Sequence, residues 1–399
     1  GDAYAGGICG INEGTVASCT ASAEGVPYDD YTESIPSVYA HSTFASAAAG
    51  GAIGDNRGHA SNITSSGTVE AKIDFGVEKM SYAYGGGISG SNTGSISDSS
   101  SNCYVRVTHD NAERYNYMMG GGIAGYNKNE INNCTFSGLV SGGVGDDNTI
   151  KGYIGGICGY NFGKISKCEF AKGAKITDYS LVAKKQYDIR NAVDYTGGIC
   201  GYNEQGIITR CTAKGSIYPT ERKAPGTDRS FFVGGVVGGN KDGVISLSYS
   251  NSDIILDGDG ETVNQRSNSN LSTAETETAD KDYYGGGLAG ENRGRIENCY
   301  YYSTAVNSIK AGSTGGLAGI NAGVLENCYT SANVNAELIK QGGGIAAVNR
   351  GQVVGTYFVI GSFEEEISGT KKSAAEITSR NLAAMKKNTL FAEWPISIC

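Results

Sequence analysis

Few residues in this 399-residue chain have the types and spacing that chemistry needs. The three histidines, His41, His59 and His109, stand far apart, with no sequence neighbours arranged for nucleophilic or metal work. Exposed side chains are the expectation for all three, with His41 and His109 in inserted stretches. Eleven cysteines include no Cys-x-x-Cys pair, so nothing points to a zinc cluster. Gly85 to Gly90 satisfies G-x-G-x-x-G, as do Gly120 to Gly125 and Gly285 to Gly290. A dinucleotide site needs a following helix and a later acidic residue, whereas here a short strand and another turn follow. Asp257-Gly258-Asp259-Gly260-Glu261 hints at calcium but lacks EF-hand spacing, which leaves a solvated loop. Asp188, Asp194, Asp282 and Glu291 are carboxylates that a polysaccharide-active enzyme would need in pairs, and sequence alone does not pair them.

Tyrosine is the one abundant reactive type, 25 residues against a single tryptophan. Tyr126, Tyr160 and Tyr202 each precede an Asn, and Tyr104, Tyr300 and Tyr329 each follow a Cys. An outward stripe of tyrosine can stack on sugars or meet a protein partner. Stacked aromatics are equally an ordinary β-sheet surface. Tyr126, Tyr160, Tyr202, Tyr300 and Tyr329 are the candidate ligand surface, and no catalytic, cofactor-binding or metal-binding residue is assigned.

These residues are in phase because the chain repeats. Two or three glycines, an aliphatic residue, a small residue, a variable residue and Asn recur ten times, as in GGICGYN and GGLAGEN. The closing residues are Asn12, Asn56, Asn92, Asn127, Asn161, Asn203, Asn240, Asn292, Asn321 and Asn349, spaced 28 to 52 residues apart. A period in that range marks a solenoid, a propeller or a stacked array. A second phrase follows, x-G-x-aliphatic-x-x-Cys, as in Gly294-Arg295-Ile296-Glu297-Asn298-Cys299. Apolar and polar residues alternate between glycine turns, which predicts short strands.

Stacking one copy on the next gives a parallel β-solenoid of about ten coils, all-β, with coils ~4.8 Å apart. Ile8, Ile88, Ile123, Ile157, Ile199, Val236, Leu288, Leu317 and Ile345 then form one internal ladder. Val16, Ile96, Ile131, Ile165, Ile208, Ile296, Leu325 and Val353 form another. Glycine is expected for positive φ and close backbone approach. The ten Asn are expected to tolerate left-handed turns and to bond one another in a structural ladder. Cysteine shares its repeat positions with Ala, Ser and Val, which favours an internal thiol ladder over disulfides. The bias in parallel crossovers predicts a right-handed coil.

The GG-aliphatic-x-G-x-N-x-G-x-aliphatic phrase resembles the GLUG-motif repeat, from Gly6 to about Gly361. That family includes adhesin-like bacterial surface proteins and regions attached to IgA-cleaving metallopeptidases. The resemblance implies a cell-surface scaffold. The His-Glu-x-x-His motif of the peptidase relatives is absent.

Intervals longer than the bare repeat predict insertions at roughly 21–45, 104–118, 177–194, 218–231 and 251–282, all at one phase and therefore on one side. After a solenoid region of 1–361, the 362–399 region changes character: Ser373-Ala374-Ala375-Glu376 fits a capping box and predicts a short helix to Lys387. With Trp394 it reads as a cap on the stack or as a linker in an excised piece of a longer protein. Net charge −9 argues against nucleic acid, and no apolar run reaches the ~20 residues of a membrane span. The expectation is a monomeric, non-catalytic, extracellular or cell-surface module without cofactor, meeting a host or matrix protein or a glycan. A polysaccharide-active enzyme and an inert spacer are the alternatives.

Overall fold

The computed structural model describes residues 1–22, 36–43, 45–74, 81–109, 116–144, 151–180, 190–221, 228–255, 283–302, 309–310, 313–331 and 341–358. The described residues are all-β and wind into a parallel β-solenoid of ten coils. The predicted C-terminal helix and Trp394 lie outside them, as do Asp188, Asp282 and the Asp257–Glu261 run.

Each coil lays strands on up to four faces. One ten-stranded sheet runs from Ala3–Gly6 to Gln341–Gly343, and a second from Cys9–Asn12 to Ala346–Asn349. The third face starts as single strands, Thr15–Ser22 and His59–Ser66, and from the third coil is split into two short strands per coil. The fourth holds eight strands, from Val38–Ser42 to Ile309–Lys310. Neighbours pair in parallel and in register, so Asn92 lies beside Asn127 and Ile131 beside Ile165.

Both expected ladders exist and are buried inside the stack, with Ile88, Ile123 and Ile157 at 0% exposure, while the end members Ile8, Val16 and Val353 are not fully covered. Ala60 and Ile245 complete the second one. Each large side chain removed from water contributes roughly 1.5–3 kcal/mol. The fourth face adds a further interior column through Val69, Val105, Val140, Ile176, Ile217 and Ile254. It takes up part of what sequence reading assigned to insertions: Tyr104–His109 and Lys175–Ser180 are strands of this face.

The glycine pair owes its place to steric room alone. No glycine of the ten doublets has positive φ; among the described residues the positive-φ glycines are Gly67, Gly173 and Gly355. A Cβ on Gly86 would lie 1.8 Å from the Ser89 carbonyl oxygen. The ladder Asn residues are not left-handed either. Left-handed backbone falls one residue before the cysteine-type position, at Ser18, Asn62, Asp98, Asn133, Lys167, Arg210, Leu247, Asn298 and Asn327. There it turns the chain between the two halves of the third face. Gln205 and Asp242 adopt it as well, in the two coils with one more residue between the ladder Asn and the next glycine.

Candidate functional site

The first two faces meet at the Gly-Gly turn, and their outward side chains converge there. A Cβ on Gly201 would sit 2.5 Å from the Ile154 nitrogen, so the second face rests backbone on backbone against the first. Tyr84, Met119, Tyr153, Tyr195, Phe232 and Tyr284 stand in one outward column of the first face. Tyr126, Tyr160 and Tyr202 form the facing column on the second. Ring centroids lie 6.3 Å apart for Tyr126–Tyr160 and 5.4 Å for Tyr160–Tyr202. Edge contacts join the columns, Tyr153–Tyr160 at 4.9 Å and Tyr195–Tyr202 at 4.7 Å.

Two ion pairs border this aromatic corner. Tyr160 Oη donates to Glu204, whose other oxygen receives Lys241 Nζ at 2.7 Å. Tyr195 Oη donates to Glu291 at 3.2 Å, and Arg293 holds the second Glu291 oxygen at 2.7 Å. That tyrosine reaches two coils along because Gly239 leaves space: a Cβ there would come within 2.7 Å of both the Tyr195 and Tyr202 rings. Burial, then the neighbouring carboxylates, raises the Tyr160 and Tyr195 hydroxyls well above the ordinary phenol range. The same causes push Tyr202 up to about 12. Partial burial works against the Glu204 carboxylate, but hydrogen bonds from Lys241 and Tyr160 outweigh it and hold its pKa below the usual value. The phenols therefore stay neutral donors at physiological pH, and both carboxylates are already bound through each oxygen.

The five candidate tyrosines divide between two places. Tyr300 and Tyr329 are on the third face, in a stack with Tyr249 at 4.7 and 5.0 Å with rings parallel to within 3°. Tyr104 does not join them; it lies on the fourth face, beside Thr68 and Leu139. Its Cys103 is outside the cysteine ladder, where Ser99 takes the equivalent place between Ile63 and Cys134.

Asp194 and Glu291 do not form a catalytic pair. Asp194, 1% exposed, points into the interior and accepts the Gly152 N–H at 2.9 Å, while Glu291 is on the outward side of the wall. His41 and His59 are exposed, as expected, but His109 is fully buried, and His41 and His109 lie on strands rather than in insertions. His41 contacts Asp74 at 2.6 Å, and His59 contacts the Ser95 hydroxyl at 2.8 Å. Among the described residues no group of three or more His, Cys, Asp or Glu is arranged to hold a metal ion. All ten described cysteines are free, and burial raises the thiol pKa of Cys158 and Cys299.

The ten Asn side chains make one unbroken chain of nine hydrogen bonds. Each Nδ2 donates to the Oδ1 of the next coil at 2.7–2.9 Å, from Asn12→Asn56 to Asn321→Asn349. All nine point the same way. The aromatic corner therefore has a rigid wall behind it, fixed to the coil spacing.

The family model described as the GLUG motif matches residues 194–218. No curated protein and no solved structure matches the chain. The matched segment runs from the first face through the second and third to the fourth in the sixth coil. Coils on either side repeat its register, so the chain is a parallel β-solenoid with a GLUG motif at residues 194–218.

Proposed function

We propose that the chain is a non-catalytic module of a bacterial cell-surface or secreted protein, a stiff scaffold that presents the aromatic corner to a host or matrix ligand, protein or glycan. The observation that carries this reading is the corner itself: half-buried tyrosine rings in register, bordered by Glu204–Lys241 and Glu291–Arg293. Large, rigid rings with polar tips contribute contact area at little entropic cost. Carboxylates held by a cation on one oxygen and a phenol on the other are poor general bases, which supports binding over turnover. The chain acts as a monomer and needs no cofactor.

The test is a panel of glycans and matrix proteins probed with the wild type and with Tyr160→Ala/Tyr202→Ala, circular dichroism serving as the folding control. Saturable binding that the double variant loses is expected. Cleavage of any polysaccharide in the same panel would overturn the non-catalytic assignment, and binding indifferent to both tyrosines would remove the corner from the site.

A further inference from the structure

The left-handed column of the third face changes character partway along the stack. Short polar residues, Ser18, Asn62, Asp98, Asn133, Asn298 and Asn327, fill most of it. In the fifth, sixth and seventh coils its members are Lys167, Arg210 and Leu247, with φ of 55°, 55° and 49°. Asn and Asp tolerate this backbone because a short polar side chain bonds locally; a long one gains no such bond and costs stability. Three consecutive coils, with further coils on both sides, thus give up the residues that suit the turn. All three side chains stand exposed. Departures from a local rule that gather in one place point to a task other than holding the fold.

Positive charge and apolar surface gather there. Lys167 and Arg210 occupy equivalent places one coil apart in a chain of net charge −9, and neither is in an ion pair among the described residues. The neighbouring third-face cations differ, since Lys164 holds Glu130 at 3.1 Å and Lys214 holds Glu169 at 2.9 Å. Lys172 and Lys175, both exposed, continue the positive charge along the fifth coil. Ile207, 46% exposed, begins the short strand that leads into Arg210, and Leu247, 45% exposed, is the next member of the column. Tyr249, Tyr300 and Tyr329 run on from this patch, stacked face to face, which leaves rims rather than faces to a ligand. The rim is the positive part of an aromatic ring.

Unpaired cations, aromatic rims and exposed aliphatic side chains together fit carboxylates followed by apolar groups. A neutral sugar needs ring faces, and an acidic glycan offers little to Ile207 and Leu247. We propose that the third face of coils five to seven docks an acidic, partly apolar segment of another protein. Lys167 and Arg210 meet its carboxylates, and Ile207 and Leu247 meet its apolar side chains. Opposite charge steers the encounter and apolar contact holds it. This site is separate from the aromatic corner and does not rest on the corner's role.

The probe is a fluorescein-labelled peptide, Asp-Glu-Asp-Glu-Leu-Phe-Leu, titrated against the whole chain by anisotropy. One-to-one binding that weakens as salt is raised is expected. Lys167→Asn/Arg210→Asn should weaken it by about tenfold, two exposed charge contacts at low salt, and Leu247→Asn should weaken it separately. Each replacement is the residue that sister coils use at this turn, so both variants should unfold at a urea concentration equal to or above that of the wild type. Lost binding is thereby kept apart from lost folding. A peptide with Lys in place of Asp and Glu should not bind. Absence of binding by the wild type, or equal binding by the variants or the basic peptide, would overturn the proposal. Labelled heparin that binds through Lys167 and Arg210 where the acidic peptide does not would overturn it in favour of an acidic glycan. Self-association of the wild type, abolished by the double variant, would overturn it in favour of a second copy.

Discussion

Replacing Asn161 with Ala tests whether the Asn ladder carries the fold. Asn161 is fully buried and makes four hydrogen bonds: to Asn203 Oδ1 at 2.7 Å and the Gly163 carbonyl at 3.0 Å, and from Asn127 at 2.7 Å and the Gly163 N–H at 3.2 Å. Alanine leaves the Asn203 oxygen, the Asn127 amide and the Gly163 N–H without those partners, in a wall too tight for easy repair. An orphaned buried polar group costs about 1–3 kcal/mol, so three of them cost about 3–9 kcal/mol. Asn12→Ala is the internal control. It removes one ladder bond, at 2.7 Å, where Asn161→Ala removes two, and should cost less by about 1–3 kcal/mol. Urea unfolding by far-UV circular dichroism gives the overall loss. Native-state hydrogen exchange at the Ile157 and Ile199 amides gives the local one, which matters because stacked repeats unfold in parts. Equal costs for the two variants, to within about 0.5 kcal/mol, would refute the argument.

Three further outcomes follow from the same geometry. Leu247 is exposed and left-handed, with φ of 49°, where sister coils use Asn; Leu247→Asn should stabilise by about 1 kcal/mol in urea unfolding. Gly86→Ala forces a methyl against the Ser89 carbonyl and should cost more than about 3 kcal/mol or prevent folding, read by soluble yield and unfolding midpoint. In alkali, Tyr153, Tyr160 and Tyr195 hold their protons past the ordinary phenol range because burial favours the neutral form, and Tyr202 titrates near 12. A folded pKa above the unfolded value means that their contribution to stability is complete below about pH 10 and falls as pH rises further. Phenolate absorbance should accordingly lag behind that of free tyrosine until the corner unfolds.

The coil count, the two aliphatic ladders and the in-phase tyrosines before Asn were legible because each is a spacing repeated many times. The roles of individual residues were less so. Positive φ was expected at the doublet Gly and at the ladder Asn, the residues most tolerant of it, but the chain turns at a position shared by Asn, Asp, Ser, Lys, Arg and Leu, with Gly355 there in the last coil. Its mixed composition hid it, although Asn-Cys in three copies was a signal. The fourth face was masked by variable loop length, and only the alternation in Val105-Arg106-Val107 marked it. Tyr104 and Tyr300 share a local motif but not a place, because Cys103 is not in the cysteine ladder. The pairing of Tyr195 with Glu291 spans 96 residues and depends on a glycine, a relation no local pattern contains.

The parallel pairing has a mechanical corollary. Strands run across the rod, so tension between its ends loads the backbone hydrogen bonds along their own direction, a few at a time, rather than shearing a whole sheet at once. Each coil can peel away separately. Paying out the 35 residues between Asn92 and Asn127 releases about 120 Å of extended chain where the folded coil occupied only about 5 Å. A solenoid built this way lengthens stepwise under load and dissipates force one coil at a time.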